Sequence, residues 1–276
     1  MPEIVIHVIA CAAYVGLAWH FWNSRWHGAP GSEQRVGGLR GWERAAILAP
    51  LTLHGWLLYD GIFAAAVLRF GFAQALSVMT FLAVALYWIE SLFYRLDGME
   101  PLVLPLAALA VPLPAMFPGL ASSGLHSQAG AFKLHLALAM IAYSLFVIAL
   151  LHATLMTVAE RQLHRKAGLA FSHLPPLLTL ERLLFRMIGA AFVFLTLTLA
   201  SGILFSETLF GRPLRADHKT IFAILSWLTF GWLLAGRWLR GWRGRTAVRW
   251  TLGGFVLLVL AYVGSRFVLE VVLQRT

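Results

Sequence analysis

The chain has 276 residues, 60% of them hydrophobic and 12% charged, about half the charged share of an ordinary soluble domain. Apolar runs long enough to cross a bilayer recur from end to end, which excludes a globular enzyme with a single anchor and leaves no stretch for a sizeable soluble domain. The net charge of +10, from 22 Lys and Arg against 12 Asp and Glu, is therefore read as membrane topology before nucleic-acid affinity, and no nucleic-acid partner is expected.

Eight windows reach the length a membrane helix needs: 3–22, 44–66, 71–94, 101–119, 132–157, 183–206, 219–239 and 250–272. They predict an all-α polytopic fold, a bundle of about eight transmembrane helices in one domain over residues 1–276. The first window follows no basic n-region and is too long for a signal-peptide core, so it reads as a retained helix, with the mature protein beginning near Met1. It contains Cys11, the single cysteine, which rules out an internal disulfide, a CxxC pair or a CxxCH haem attachment. A Gly-rich polar stretch, 23–43, leads to the second window, where His54 lies ten residues past the basic end, about 15 Å deep at 1.5 Å per residue, near Trp56 and Tyr59.

The third window carries Glu90, and the fourth carries Pro101, Pro105, Pro112, Pro114 and Pro118, which invite kinks while leaving enough length to cross. His135 stands three residues into the fifth window, with Tyr143 eight residues on along the same face. A longer connection, 158–182, is broken by Pro175-Pro176. His218 then heads the seventh helix, and the eighth contains Arg266 with Glu270 four residues later.

Threading eight crossings through these windows puts 15 of the 22 basic residues on one side, among them Arg25, Arg44, Arg161, Arg182, Arg237 and Arg243. The positive-inside rule makes that side cytoplasmic and sets both termini on the outer, periplasmic side. Omitting the fourth crossing would turn the later basic loops outward. The inner loops are expected to touch anionic lipid.

The histidines hold what chemistry there is. An imidazole in hydrocarbon needs a hydrogen-bond partner or a metal, so His54 and His135 read either as packing residues or as ligands. No HExxH, clustered Cys/His set, phosphate loop, GxSxG elbow or GxGxxG is present, which argues against zinc and against catalysis. A large planar cofactor on one or two histidines fits better. Haem would also want basic residues near its propionates, and Arg212, Arg215, Lys219 and Arg266 are the outer candidates, with a simple Arg266–Glu270 ion pair the plainer reading of that pair.

Four segments carry a family likeness: Leu174-Pro175-Pro176-Leu177 through Glu181-Arg182; Asp217-His218-Lys219-Thr220 running to Trp227; Gly241-Trp242-Arg243-Gly244-Arg245; and Ala261-Tyr262-Val263-Gly264-Ser265-Arg266. In this order they resemble the transmembrane cytochrome c assembly family, of CcsA and HemX type, and most of all its small YpjD-like inner-membrane branch. The likeness covers about residues 130 to 270.

The resemblance implies an outer tryptophan-rich segment that cradles haem b, with histidines on neighbouring helices as axial ligands. His135 matches one ligand position, and His54 is taken as a second or lower site. Phe205 and Phe210 stand where the family has tryptophans, Ala235 replaces its histidine before the Gly-Trp-Arg-Gly segment, and its late outer histidine has no counterpart. The expected cofactor-binding set is therefore His135, His54, Arg266, Phe205 and Phe210, with His135 and His54 as iron ligands. The implied function is non-catalytic haem binding or handling in a bacterial inner membrane, with haem and cytochrome c assembly or tetrapyrrole-pathway proteins as partners. Alternatives are a cofactor-free structural or regulatory membrane protein on the same fold, or a small-solute transporter using Asp60 or Glu90, for which the chain shows no clear internal repeat.

Overall fold

The computed structural model describes residues 2–26, 38–63, 68–119, 121–122, 130–164, 174–204 and 217–272. Its helices are α1 (Pro2–Phe21, ending in a π-turn at Trp22–Trp26), α2 (Gly41–Phe63), α3 (Phe72–Phe93), α4 (Glu100–Ala110), α5 (Leu113–Met116), α6 (Gly130–His164), α7 (Leu177–Leu204), α8 (His218–Arg240) and α9 (Arg245–Val272). Leu68–Arg69 and Ala121–Ser122 add a two-residue antiparallel ladder between connections.

Among the described residues, six helices are long and apolar enough to cross a membrane: Ile4–Trp26, α3, Gly130–Gln162 within α6, α7, α8 and α9. The chain is a multi-pass membrane protein. α2 is as long as several of these, with 23 residues, but Glu43, Arg44, His54 and Asp60 interrupt its apolar run.

The single helix expected at 101–119 is split in two, but the segment still runs from one end of the bundle to the other: Glu100 lies beside Asp97 at the Arg25 end, and the Phe117 carbonyl accepts from Gln74 Nε2 (3.2 Å) at the start of α3. α4 has 11 residues and α5 only four. The prolines set these limits. Pro101 suits the first turn of α4, whereas Pro112 has no N–H to continue the ladder, and the chain turns there.

Other boundaries also have local causes. α7 starts at Leu177, directly after Pro176, six residues earlier than hydropathy predicts. α8 starts where the Asp217 carboxylate accepts from the Thr220 N–H and hydroxyl, each at 3.0 Å. Partial burial works against the Asp217 charge, but those bonds and nearby Lys219 outweigh it and hold its carboxyl below the ordinary aspartate range.

The helices alternate in direction, so one end of the bundle gathers the C-terminal end of α1, the start of α2, the end of α3 and the start of α4. The ends of α6 and α8 and the starts of α7 and α9 join them, tied by Arg25–Glu43, Arg25–Asp97, Arg237–Glu181 and Arg245–Glu160 pairs. Most described arginines lie at this basic end. The opposite end holds the starts of α3 and α6 and the ends of α7 and α9.

α6 is the central helix, packed along α7 and against α3 and α9, while α1 lies on α4 and α2. Lipid tails give helices little hydrophobic reason to associate, so packing detail and buried hydrogen bonds matter. Cys11 Sγ reaches the Ala108 carbonyl (3.3 Å), Ser226 donates to the Gly254 carbonyl (3.0 Å), and Trp227 Nε1 donates to Thr196 Oγ1 (2.9 Å). Phe146 of α6 stacks on Phe230 of α8 with centroids 3.9 Å apart.

Candidate functional site

His135 sits in the second turn of α6, facing α7. Its Nδ1 is 2.8 Å from Ser201 Oγ, and Ser201 Oγ in turn donates to the Thr198 carbonyl at 2.9 Å. A hydroxyl has one proton; with that proton on the Thr198 carbonyl, Ser201 accepts from an imidazole in the Nδ1–H tautomer. In that tautomer an oxygen behind the ring holds its orientation, as one does for ligating histidines. Gly202 lies alongside the ring: a Cβ there would make ordinary contact with His135 Cε1 at 3.4 Å.

His54 is in a different place. It is buried between α1, α2 and α3, with Nε2 2.8 Å from Ser77 Oγ and Nδ1 3.4 Å from the Tyr14 hydroxyl. Tyr14 and Phe81 close on the ring edgewise, with centroids 5.9 and 5.5 Å away. Both ring nitrogens are engaged, so iron ligation would require breaking one of these contacts. Trp56 and Tyr59, expected beside it, are exposed on the outside of the bundle. The sequence left packing and ligation open for this residue, and its surroundings are those of a packing histidine.

The two candidate ligands are therefore not brought together. Tyr143 does not extend the His135 face either: its hydroxyl donates to the Leu258 carbonyl (2.8 Å) in α9, just before the π-helical stretch Leu260–Gly264. Eight residues advance a helix by about 80° beyond two full turns, enough to turn Tyr143 from α7 toward α9.

Arg266 takes the plainer of its two readings. Its Nη1 is 3.9 Å from Glu270 Oε1, and its guanidinium lies over the Tyr262 ring at 5.9 Å. Glu270 Oε2 accepts from the Phe72 N–H at 3.4 Å, so the pair also caps α3. A Cβ on Gly71 would lie 2.5 Å from that oxygen, which makes glycine a requirement of the contact. For Arg266 to meet a propionate, this lock would have to open. Phe205, Phe210, Arg212 and Arg215 lie outside the described residues.

Two groupings escaped the sequence reading. His152 is fully buried in α6, with Nδ1 on its own Ile148 carbonyl (2.9 Å) and Nε2 3.7 Å from Glu90 Oε2 of α3. The residues are 62 positions apart, and each looked partnerless along its own helix. At the basic end, Arg25 is buried, its guanidinium 3.1 Å from Glu43 Oε2, from Asp97 Oδ1 and from the Gly38 carbonyl. The Gly38 N–H donates to Asp97 (2.8 Å) and the Arg40 N–H to Glu43 (2.7 Å). In the sequence Arg25 counts only as a topological charge. The clue was the scarcity of carboxylates: with 12 in the chain, two in adjoining inner loops are worth matching to the nearest arginine. Among the described residues, no three His, Cys, Asp or Glu side chains gather to hold a metal ion.

Comparison with known proteins adds a relationship to this geometry. A family model described as Cytochrome C assembly protein matches residues 45–273. Inner membrane protein YpjD of Escherichia coli (strain K12) is 33% identical over 173 residues, 62% of this chain and 64% of that protein. An uncharacterized 28.8 kDa protein in the nifR3-like 5'region of Azospirillum brasilense is 38% identical over 143 residues, covering 51% and 52%. Cytochrome c biogenesis protein CcsA of Heterosigma akashiwo (strain NIES-293 / 8280G21-1) is 33% identical over 91 residues, covering 33% and 28%. The chain thus spans just under two-thirds of the length of the first curated relative. No solved structure matches.

Proposed function

The chain belongs to the cytochrome c assembly protein family, and from that premise we propose that it binds or handles haem in a bacterial inner membrane, without catalysis, through His135. The observation that carries this reading is the Thr198–Ser201–His135 chain of hydrogen bonds. With Nδ1 donating to Ser201, Nε2 is the nitrogen that would serve as the axial ligand.

The group would be haem b, since the single cysteine excludes a two-thioether attachment within the chain. When bound, haem supplies a redox-active iron and a broad apolar face. The protein's part is to present Nε2, to hold the ring orientation through Ser201, and to keep α6 and α7 in contact beneath it. Both termini lie on the periplasmic side in this reading, which puts the His135 end of the bundle outward and the basic end in the cytoplasm. Other cytochrome c assembly or tetrapyrrole-pathway proteins would be the partners.

The test is a haemin titration of the detergent-purified chain followed by absorption. The wild type and His54→Ala should each develop a saturable Soret band, and His135→Ala should not. Equal binding by the wild type and His135→Ala would remove His135 from the account.

A second reading has an observation of its own: His54 and Arg266 are both consumed by structural contacts. That is what a cofactor-free structural or regulatory relative would retain. It predicts a folded protein that stays colourless with haemin.

A further inference from the structure

The corner joining α8 to α9 carries a second site. Gly241 and Gly244 both have positive φ, +65° and +56°, a region L side chains seldom enter, so the chain reverses within four residues. The reversal folds Trp242 back onto α8. A Cβ on Gly236 would come within 2.3 Å of the Trp242 ring, so glycine there makes the ring's berth. Trp242 stacks on Trp250 (centroids 5.9 Å apart, planes 11° apart) and meets Trp232 edgewise at 6.0 Å.

Over this aromatic floor lies the Arg240 guanidinium, 5.7 Å from the Trp232 centroid and 6.0 Å from that of Trp242. A cation–π contact at these distances positions the guanidinium without using its N–H donors. Arg243 and Arg249 are exposed nearby in the sequence of the same corner. Two other arginines of the corner are already spent: Arg237 on Glu181 at 2.7 Å and Arg245 on Glu160 at 3.0 Å. Between Asp217 and Glu270 the sequence contains no carboxylate. Arg240, Arg243 and Arg249 are therefore a local surplus of three positive charges.

Beside this surplus, Trp238 and Leu239 are 87% and 70% exposed, and Trp232 is half exposed. Large apolar side chains next to arginines, at the end of a membrane-length helix, match a lipid interface: acyl chain against Trp and Leu, phosphate against guanidinium. We propose that this corner is a binding site for the phosphodiester of an anionic phospholipid from the adjoining leaflet. The apolar surround favours a lipid over a free phosphate, and the charge surplus favours an anionic headgroup over a zwitterionic one. The proposal is independent of haem and goes beyond general attraction of basic loops to the leaflet.

The experiment uses the full chain in neutral detergent, titrated with short-chain phosphatidylglycerol, with phosphatidylcholine of the same chain length, and with inorganic phosphate. Binding is followed by thermophoresis. Saturable binding of phosphatidylglycerol is expected, with phosphatidylcholine and phosphate weaker by about tenfold or more. R240Q/R243Q/R249Q should weaken phosphatidylglycerol by a similar factor, whereas R95Q/R161Q/R182Q, which removes as much charge elsewhere at the same end, should leave it within about twofold. If the triple variant fails to fold, R240K serves instead: it keeps the charge and loses the planar fork, and it should still weaken binding. Equal loss in the two triple variants would reduce the site to diffuse surface charge. Equal affinity for the two lipids, unchanged binding in R240Q/R243Q/R249Q and R240K, or complete competition by phosphate would each overturn the proposal.

Discussion

At the scale of single residues, Ser201 Oγ lies 2.8 Å from His135 Nδ1 and is itself held by the Thr198 carbonyl at 2.9 Å. Ser201→Ala should therefore weaken haem binding by about 10- to 100-fold, the usual effect of losing a ligand's outer partner, while thermal unfolding stays close to wild type. Affinity unchanged in a haemin titration would mean that the serine does not orient the ring. Arg25 answers to a different physics. Removing it leaves the Glu43 and Asp97 carboxylates buried and uncompensated, so Arg25→Ala should destabilise the protein by about 3–5 kcal/mol. The check is denaturation in detergent, where a variant as stable as wild type would show that these carboxylates find water instead.

Among the helices, hydropathy locates the apolar middles well and the polar ends poorly. The windows 71–94 and 219–239 agree with Phe72–Phe93 and His218–Arg240 to within a residue at each end, because short polar connections bound them. α6 runs to His164, past the expected 157, since Glu160 and Arg161 are good helix formers that leave the membrane-like composition without leaving the helix. The fourth window crosses the bundle as two short helices, for a reason visible in it: Pro112 ends α4 and Pro114 starts a new turn. The depth of His54 was also readable, but not its partners Tyr14 and Ser77, which are 40 and 23 positions away. Pairing of this kind needs the fold. So does Gly254, where a Cβ would stand 2.8 Å from the Phe230 ring that is stacked on Phe146. Gly254→Ala should push α9 off α8 and lower stability by about 1–3 kcal/mol. An unshifted melting temperature would mean the stack yields without cost.

For the whole molecule, alternating helices collect the arginines at one end and His135, with the α3 cap, at the other. If the basic end is cytoplasmic, in a Cys11→Ser background His218→Cys should react with a membrane-impermeant maleimide on intact cells, and Trp238→Cys only after permeabilisation. The reverse pattern would invert the topology and place the haem site in the cytoplasm.

The central claim is that His135 ligates haem. It is tested most directly by oxidised and dithionite-reduced spectra of the protein as purified, beside His135→Ala and His54→Ala. The account predicts a Soret band that shifts on reduction in the wild type and in His54→Ala and is lost in His135→Ala. A band in all three samples, or one lost only with His54, would contradict it.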